Sequence, residues 1–145
     1  MIEHRLPGFI PGRGTLLVRY GEGCNGLDIA IVHLALGKRA RTQQLRFLSR
    51  ELDSGRHLVV MGDFNTRVDS AEVSELCDTL ALAAPTSGMA TYPSWQPQRP
   101  IDHILVSHTL ETRAASVLDV KFSDHCPIAL EIDLPEGVHL RQATH

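Results

Sequence analysis

Leu58, Val59, Val60 and Met61 form an apolar run in which successive residues, which point to opposite faces of a strand, are all hydrophobic. A strand that is apolar on both faces belongs at the centre of a sheet, covered by a packed layer above and below. The run halts at Gly62, and Asp63, Phe64 and Asn65 follow at once. A buried strand that ends on glycine delivers the next carboxylate and carboxamide to the sheet rim, within reach of a metal or a phosphate.

Two later segments approach such a rim from the opposite direction. Asp102 opens the run Ile101-Asp102-His103-Ile104-Leu105-Val106, and Ser123-Asp124-His125 precedes Cys126-Pro127-Ile128-Ala129-Leu130. In antiparallel neighbours the end of one strand lies beside the start of the next, so Asp63, Asn65, Asp102, Asp124 and His125 are predicted to share one rim. Residues 16–20 and 27–34 read as strands around the glycine-rich stretch 21–26, and Leu45, Leu48 and Leu52 recur at helical spacing over 38–52. A second short helix is expected over 70–80, capped by Asp69 or Ser70, with Val73, Leu76 and Leu80 facing inward. Four prolines and a glycine mark 84–100 as a loop. Strands return at 101–107, 115–120 and 126–132, and the tail from 135 reads as frayed.

At 145 residues with 43% hydrophobic content, the chain can bury the core of one domain. It has no apolar stretch long enough to cross a bilayer, and residues 1–7 lack the apolar centre of a secretory signal, so a cytoplasmic product is expected. Cys24, Cys77 and Cys126 are far apart and read as reduced thiols. A net charge of −3 counts against a broad nucleic-acid surface, and Lys38, Arg39, Arg41, Arg46 and Arg50 read mainly as the solvated face of a helix. His33, at a strand end, reads as a core histidine or a support for the site rather than a direct ligand. Tyr92 and Trp95 are expected to cover core rather than to wall a substrate. The histidines lack zinc-ligand spacing, whereas the oxygen donors Asp63, Asn65 and Asp124 suit magnesium or manganese.

In chain order, Val32-His33-Leu34, residues 41–44, Gly62-Asp63-Phe64-Asn65, Ile101-Asp102-His103-Ile104 and Ser123-Asp124-His125-Cys126-Pro127 resemble the endonuclease/exonuclease/phosphatase superfamily of metal-dependent phosphoesterases. The similarity runs from about residue 13 to residue 134 and corresponds to the later half of the family's domain. It implies an α+β fold, a partial four-layer α/β/β/α sandwich with mostly antiparallel sheets, of which one sheet is nearly complete. On that reading residues 1–135 form the C-terminal part of the domain and 136–145 a tail, and the missing layers leave apolar faces such as 58–61 uncovered. The metal-proximal asparagine and the glutamate ligand of the family's first strands have no match. Glu3 follows no strand and Asn25 lies in a turn.

The resemblance implies hydrolysis of a phosphoester in a nucleic acid, phospholipid or small phosphodiester, assisted by Mg2+ or Mn2+. Asp63, Asn65, Asp102 and His125 are the implied catalytic residues, with Asp124, Asp63 and Asn65 as metal ligands and His33 and Arg13 as substrate contacts. Either Asp63 or His125 would be the base, with Asp102 orienting His125. The competing reading is a non-catalytic or complementing half-domain that binds a partner chain supplying the missing N-terminal half.

Overall fold

Leu58 and Val60 leave the central strand on one side and Val59 on the other, and two separate apolar clusters form around them. The computed structural model describes residues 2–6, 14–52, 54–136 and 138, with residues 2–5 described by backbone alone. Strand β4 (His57–Asp63) lies inside a six-stranded sheet with β1 (Ile2–Arg5), β2 (Gly14–Tyr20), β3 (Leu27–His33), β5 (Leu82–Ala83) and β6 (Asp102–Ser107). The order is β1-β2-β3-β4-β6-β5. Strands β3 and β4 run parallel, which requires a crossover, and helix α1 (Lys38–Glu51) supplies it. The remaining ladders are antiparallel, including that of a second sheet made of β7 (Thr112–Val117) and β8 (Ile128–Ile132).

The first cluster joins Leu17, Ala30, Val32, Leu58, Val60 and Leu105 of the large sheet to Leu45 and Leu48 of α1. It also takes in Val73, Leu76 and Leu80 of helix α2 (Ala71–Leu80). The second cluster joins Leu27, Val59, Ile104 and Val106 on the opposite face to Ile128, Leu130 and Ile132 of β8. Each fully buried leucine here contributes about 1.5–3 kcal/mol. The described residues therefore build helices, a six-stranded sheet and a two-stranded sheet in that order, an α+β sandwich.

Several expectations are corrected. The run 58–61 is not uncovered: Leu58 and Val60 are wholly buried beneath the helices, and Val59 is buried beneath β8. Glu3 lies within strand β1, which the sequence reading did not contain. Asn25 does lie in a turn as expected: it ends a short 3-10 turn (Gly23–Asn25) beside Gly26, whose carbonyl takes the His57 N–H at the start of β4, the end of the sheet away from Asp63. Neither Asp69 nor Ser70 caps α2 by its side chain: Ser70 Oγ is buried without a partner, and Asp69 pairs with Arg67. Strand β7 lies earlier than 115–120, because Ala115 and Val117 face Leu130 and Ile128 across the ladder. Strand β8 starts later than 126, because the Cys126 N–H turns away to the Thr91 carbonyl. Val138 is buried in the second cluster, so the frayed reading fails there, while residue 137 and residues 139–145 lie outside the described residues.

Arg41 is not part of a solvated face. It is buried, and its guanidinium bonds Glu72 of α2 at 2.9 and 3.1 Å and the carbonyls of Ala35 and Leu36 at 3.2 and 2.8 Å. The neighbouring pair Arg46–Glu75 joins the same helices but stays exposed. Burial pushes the Glu72 carboxyl up, but its own backbone N–H and the Arg41 guanidinium outweigh that and hold it below the ordinary value.

Candidate active site

Pairing alone assembles three of the predicted side chains. His33 lies opposite Asp63 across the parallel β3–β4 ladder, and Asp63 lies opposite Asp102 across the antiparallel β4–β6 ladder. By strand alternation all three share the sheet face that carries Val59, Ile104 and the second apolar cluster. Gly62 makes the approach possible. Its φ is +136°, and a Cβ there would stand 2.0 Å from the Val32 carbonyl oxygen of β3. Only glycine tolerates that backbone, so the residue ahead of Asp63 is dictated by geometry.

His125 reaches this rim from the segment before β8. Its Nδ1 donates to Asp102 Oδ2 at 2.8 Å, which fixes the tautomer and leaves Nε2 without a hydrogen bond among the described residues. Thr91 Oγ1 donates to the same carboxylate oxygen, and Thr91 is wholly buried. The loop around Thr91 also holds the histidine's backbone. The Cys126 N–H bonds the Thr91 carbonyl at 2.8 Å, the Ser94 N–H bonds the Asp124 carbonyl at 2.7 Å, and Ser94 Oγ bonds the Ser123 carbonyl at 2.6 Å. The Tyr92 ring packs against the imidazole with centroids 4.9 Å apart.

Asp63 Oδ1 accepts the Asn65 N–H at 2.8 Å, and Oδ2 lies 3.5 Å from His33 Nε2. Burial pushes the Asp63 carboxyl up; the Asn65 N–H opposes it, the Asp102 charge adds to it, and His125 and His33 oppose it more weakly. The outcome is a carboxyl raised from its ordinary value, the direction that suits a proton acceptor. Asn65 takes a left-handed φ of 53°, and its Nδ2 donates to the Leu34 carbonyl at 2.9 Å, so its carboxamide is clamped to the end of β3. Beneath, the wholly buried His103 donates from Nε2 to the Thr66 carbonyl at 2.8 Å and holds the same loop. Burial pushes its pKa below the ordinary 6.5 despite the Thr66 bond and the charges of Asp102, Asp63 and Asp69, and its Nδ1 has no partner.

Asp63, Asn65, Asp102 and His125 are therefore gathered at one rim. Asp124 is next to His125, but its carboxylate is exposed and, among the described residues, accepts only the neighbouring Ser123 hydroxyl, at 3.0 Å. Among the described residues no three His, Cys, Asp or Glu side chains converge on a point that would hold a metal. The oxygen donors Asp63, Asn65 and Asp124 have the right chemistry for Mg2+ or Mn2+ but do not by themselves fit a complete centre. His33 is not a core histidine, since its side chain is 53% exposed, and Trp95 does not cover core, being 65% exposed. Arg13 lies outside the described residues. Thr91 and Ser94, which hold Asp102 and the His125 segment, went unread in the sequence, where the proline-rich stretch 84–100 signalled a loop but not its partners.

The fold has wide precedent. The chain is similar in fold to an endonuclease/exonuclease/phosphatase protein of Beutenbergia cavernae, at 17% identity and a TM-score of 0.71 over 94% of this chain and 45% of that one. It is similar to the human Nocturnin catalytic domain with bound sulfate, at 20% identity and a TM-score of 0.68 over 90% of this chain and 58% of that one. It also resembles a mannosyl-6-phosphatase of Bacteroides thetaiotaomicron, at 18% identity and a TM-score of 0.65 over 74% of this chain and 51% of that one. The chain thus spans about half the length of these structures. No curated protein matches the sequence. A profile of one family covers residues 5–125, most of the length, and the chain accordingly belongs to the Endonuclease/Exonuclease/phosphatase family.

Proposed function

We propose that this rim hydrolyses a phosphoester, with Asp63, Asn65 and the Asp102–His125 pair as its working residues. The observation that carries the reading is an imidazole, His125, bonded through Nδ1 to the Asp102 carboxylate that lies directly opposite Asp63 across the β4–β6 ladder, with its Nε2 free of hydrogen bonds among the described residues. Asp63, with its raised pKa, accepts a proton from the attacking water. The water oxygen bonds to phosphorus as the bond from phosphorus to the leaving oxygen breaks. Asn65, clamped by Leu34, orients that water or a phosphoryl oxygen. Asp102 orients the ring through Nδ1, so His125 turns its Nε2 toward the negative charge that develops on the phosphoryl oxygens. Thr91 and Asp102 act through His125.

Family membership implies a divalent Mg2+ or Mn2+, whose chemistry would be to polarise the phosphate and stabilise the leaving oxygen. Asp63, Asn65 and Asp124 are the donors this chain offers it. Because they do not close a centre among the described residues, we propose that further ligands come from a segment or chain outside them, and that the chain alone turns over slowly. The substrate is a phosphodiester of a nucleic acid, a phospholipid or a smaller molecule. No helix of the described residues is long and apolar enough to cross a membrane.

The test is hydrolysis of a chromogenic phosphodiester in millimolar Mn2+ by the chain together with the segment or partner that supplies those ligands. Asp63→Ala, Asn65→Ala and His125→Ala should each lower turnover about a hundredfold or more, the scale of a preorganised acid, base or charge-stabilising group. Asp102→Ala should cost less, because it acts through His125. Full activity in His125→Ala would remove the assignment.

A further inference from the structure

Beside Asn65 the surface opens into a cleft of about 250 Å3, walled by Asn65, Thr66 and Arg67 on one side and Gln98, Arg99 and Pro100 on the other. No carboxylate lines it. The contrast with the adjoining rim is sharp, since the rim carries Asp63 and Asp102 opposite one another and Asp124 close by. Arg67 is engaged by Asp69 through two exposed contacts of 3.0 and 3.1 Å. Arg99 has no carboxylate partner among the described residues. Its guanidinium carbon lies 5.6 Å from the Tyr92 ring centroid, and the Tyr92 ring in turn packs against His125. The backbone holds this arrangement, because Tyr92 and Arg99 exchange N–H to carbonyl bonds of 2.9 and 3.3 Å at the base of the 92–99 hairpin.

An exposed, unpaired guanidinium that is already stacked loses little freedom on binding, and its planar fork matches the oxygens of a phosphate. Its place, one aromatic ring away from the reacting imidazole, suits an anion that is attached to the substrate but is not the group being cleaved. We propose that Arg99 anchors a second phosphate subsite in this cleft, so that the preferred substrate is a phosphoester carrying another phosphate next to the scissile one. The proposal rests on the function argued above and adds the substrate class.

The test reads binding, with chelator present so that nothing turns over. Titration calorimetry would compare thymidine 5′-monophosphate with thymidine 3′,5′-bisphosphate, and inositol 4-phosphate with inositol 4,5-bisphosphate, whose phosphates sit on neighbouring ring carbons, at one fixed salt concentration. The bisphosphate should bind the native chain about tenfold or more tightly than its monophosphate, the scale of one charge-assisted hydrogen bond. Arg99→Ala should bring that ratio close to one and Arg99→Lys should retain part of it, while Arg46→Ala on α1 should leave it intact. A gain on both carriers supports recognition of the phosphate itself, and a gain on one supports the subsite and identifies its carrier. Equal affinity of mono- and bisphosphate for the native chain, or an undiminished ratio in Arg99→Ala with a native melting curve, would overturn the proposal. A protein that keeps the ratio but stays inactive when the further metal ligands are supplied sinks the proposed hydrolysis alone; an active one with a ratio near one sinks the subsite alone.

Discussion

Two Arg–Glu pairs join α1 to α2, and the structure predicts very different consequences for breaking them. In Glu72→Ala the Arg41 guanidinium stays among the carbonyls of Ala35 and Leu36 at 8% side-chain exposure, with no countercharge. Leaving one member of a buried pair uncompensated costs about 3–5 kcal/mol. For a domain near this size that lowers Tm by roughly 6–20 °C. Glu75→Ala breaks the Arg46 pair, whose two side chains are 59% and 51% exposed, and should cost no more than about 1 kcal/mol. Changing both Arg41 and Glu72 to leucine removes the stranded charge, yet it deprives the buried Ala35 carbonyl of a donor, at about 1–3 kcal/mol, so the double variant should fall between native and Glu72→Ala. The assay is urea denaturation followed by circular dichroism at neutral pH. The pH dependence has a definite sign. Glu72 is held below its ordinary 4.5, so its contribution is complete above that value and is lost as pH falls through the folded pKa. The gap between native and Glu72→Ala should therefore narrow in acid. Equal losses, within about 1 kcal/mol, for Glu72→Ala and Glu75→Ala would refute the distinction between buried and exposed pairs.

Gly62→Ala should destabilise by about 3 kcal/mol or more, from positive-φ strain plus the clash with the Val32 carbonyl, and an unchanged denaturation midpoint would show that β3 and β4 can part there. His103, depressed below 6.5, contributes stability that is present above that value and lost as pH falls through its folded pKa, at up to about 1.4 kcal/mol per pH unit; His103→Gln should flatten the stability profile between pH 7 and 5, and an identical slope would contradict this. Asp63 has the opposite sign: its raised carboxyl favours folding below its unfolded pKa, and that advantage is gone once pH rises through the folded value. Asp63→Asn should thus gain up to about 1 kcal/mol of stability at pH 7 while losing turnover, and a loss of stability would count against a strained site carboxylate.

Much of this arrangement was legible in the residues themselves. The two-faced apolar run 58–61 identified the central strand, and its glycine identified where the strand releases Asp63, because period and backbone freedom are local properties. The meeting of Asp63 with Asp102 followed from antiparallel order alone, since register partners are set by strand direction. What escaped was set by tertiary contact. Arg41 looked like any basic residue on a helix, and only the packing of α2 makes it buried. Two-residue β5 is too short to carry a period, and Thr91 has no sequence signal that it will donate to a carboxylate eleven residues later. Trp95 was expected inside because of its type, whereas the tip of the 92–99 hairpin places it at the surface; of the two readings of His33 the core one fails, because the end of β3 leaves its ring exposed beside Asp63.

The central claim is that Asp63 and the Asp102–His125 pair form one site, and a double-mutant cycle on turnover tests it most directly. Rates of phosphodiester hydrolysis in Mn2+ would be measured for the native chain, Asp63→Asn, His125→Ala and the combined variant, each supplied with the segment or partner that completes the metal ligands and matched for folding by circular dichroism. Residues that act as a unit are strongly non-additive, so the double variant should be about as slow as the worse single one. Losses that multiply across the two positions, or a native rate in either single variant, would contradict the account.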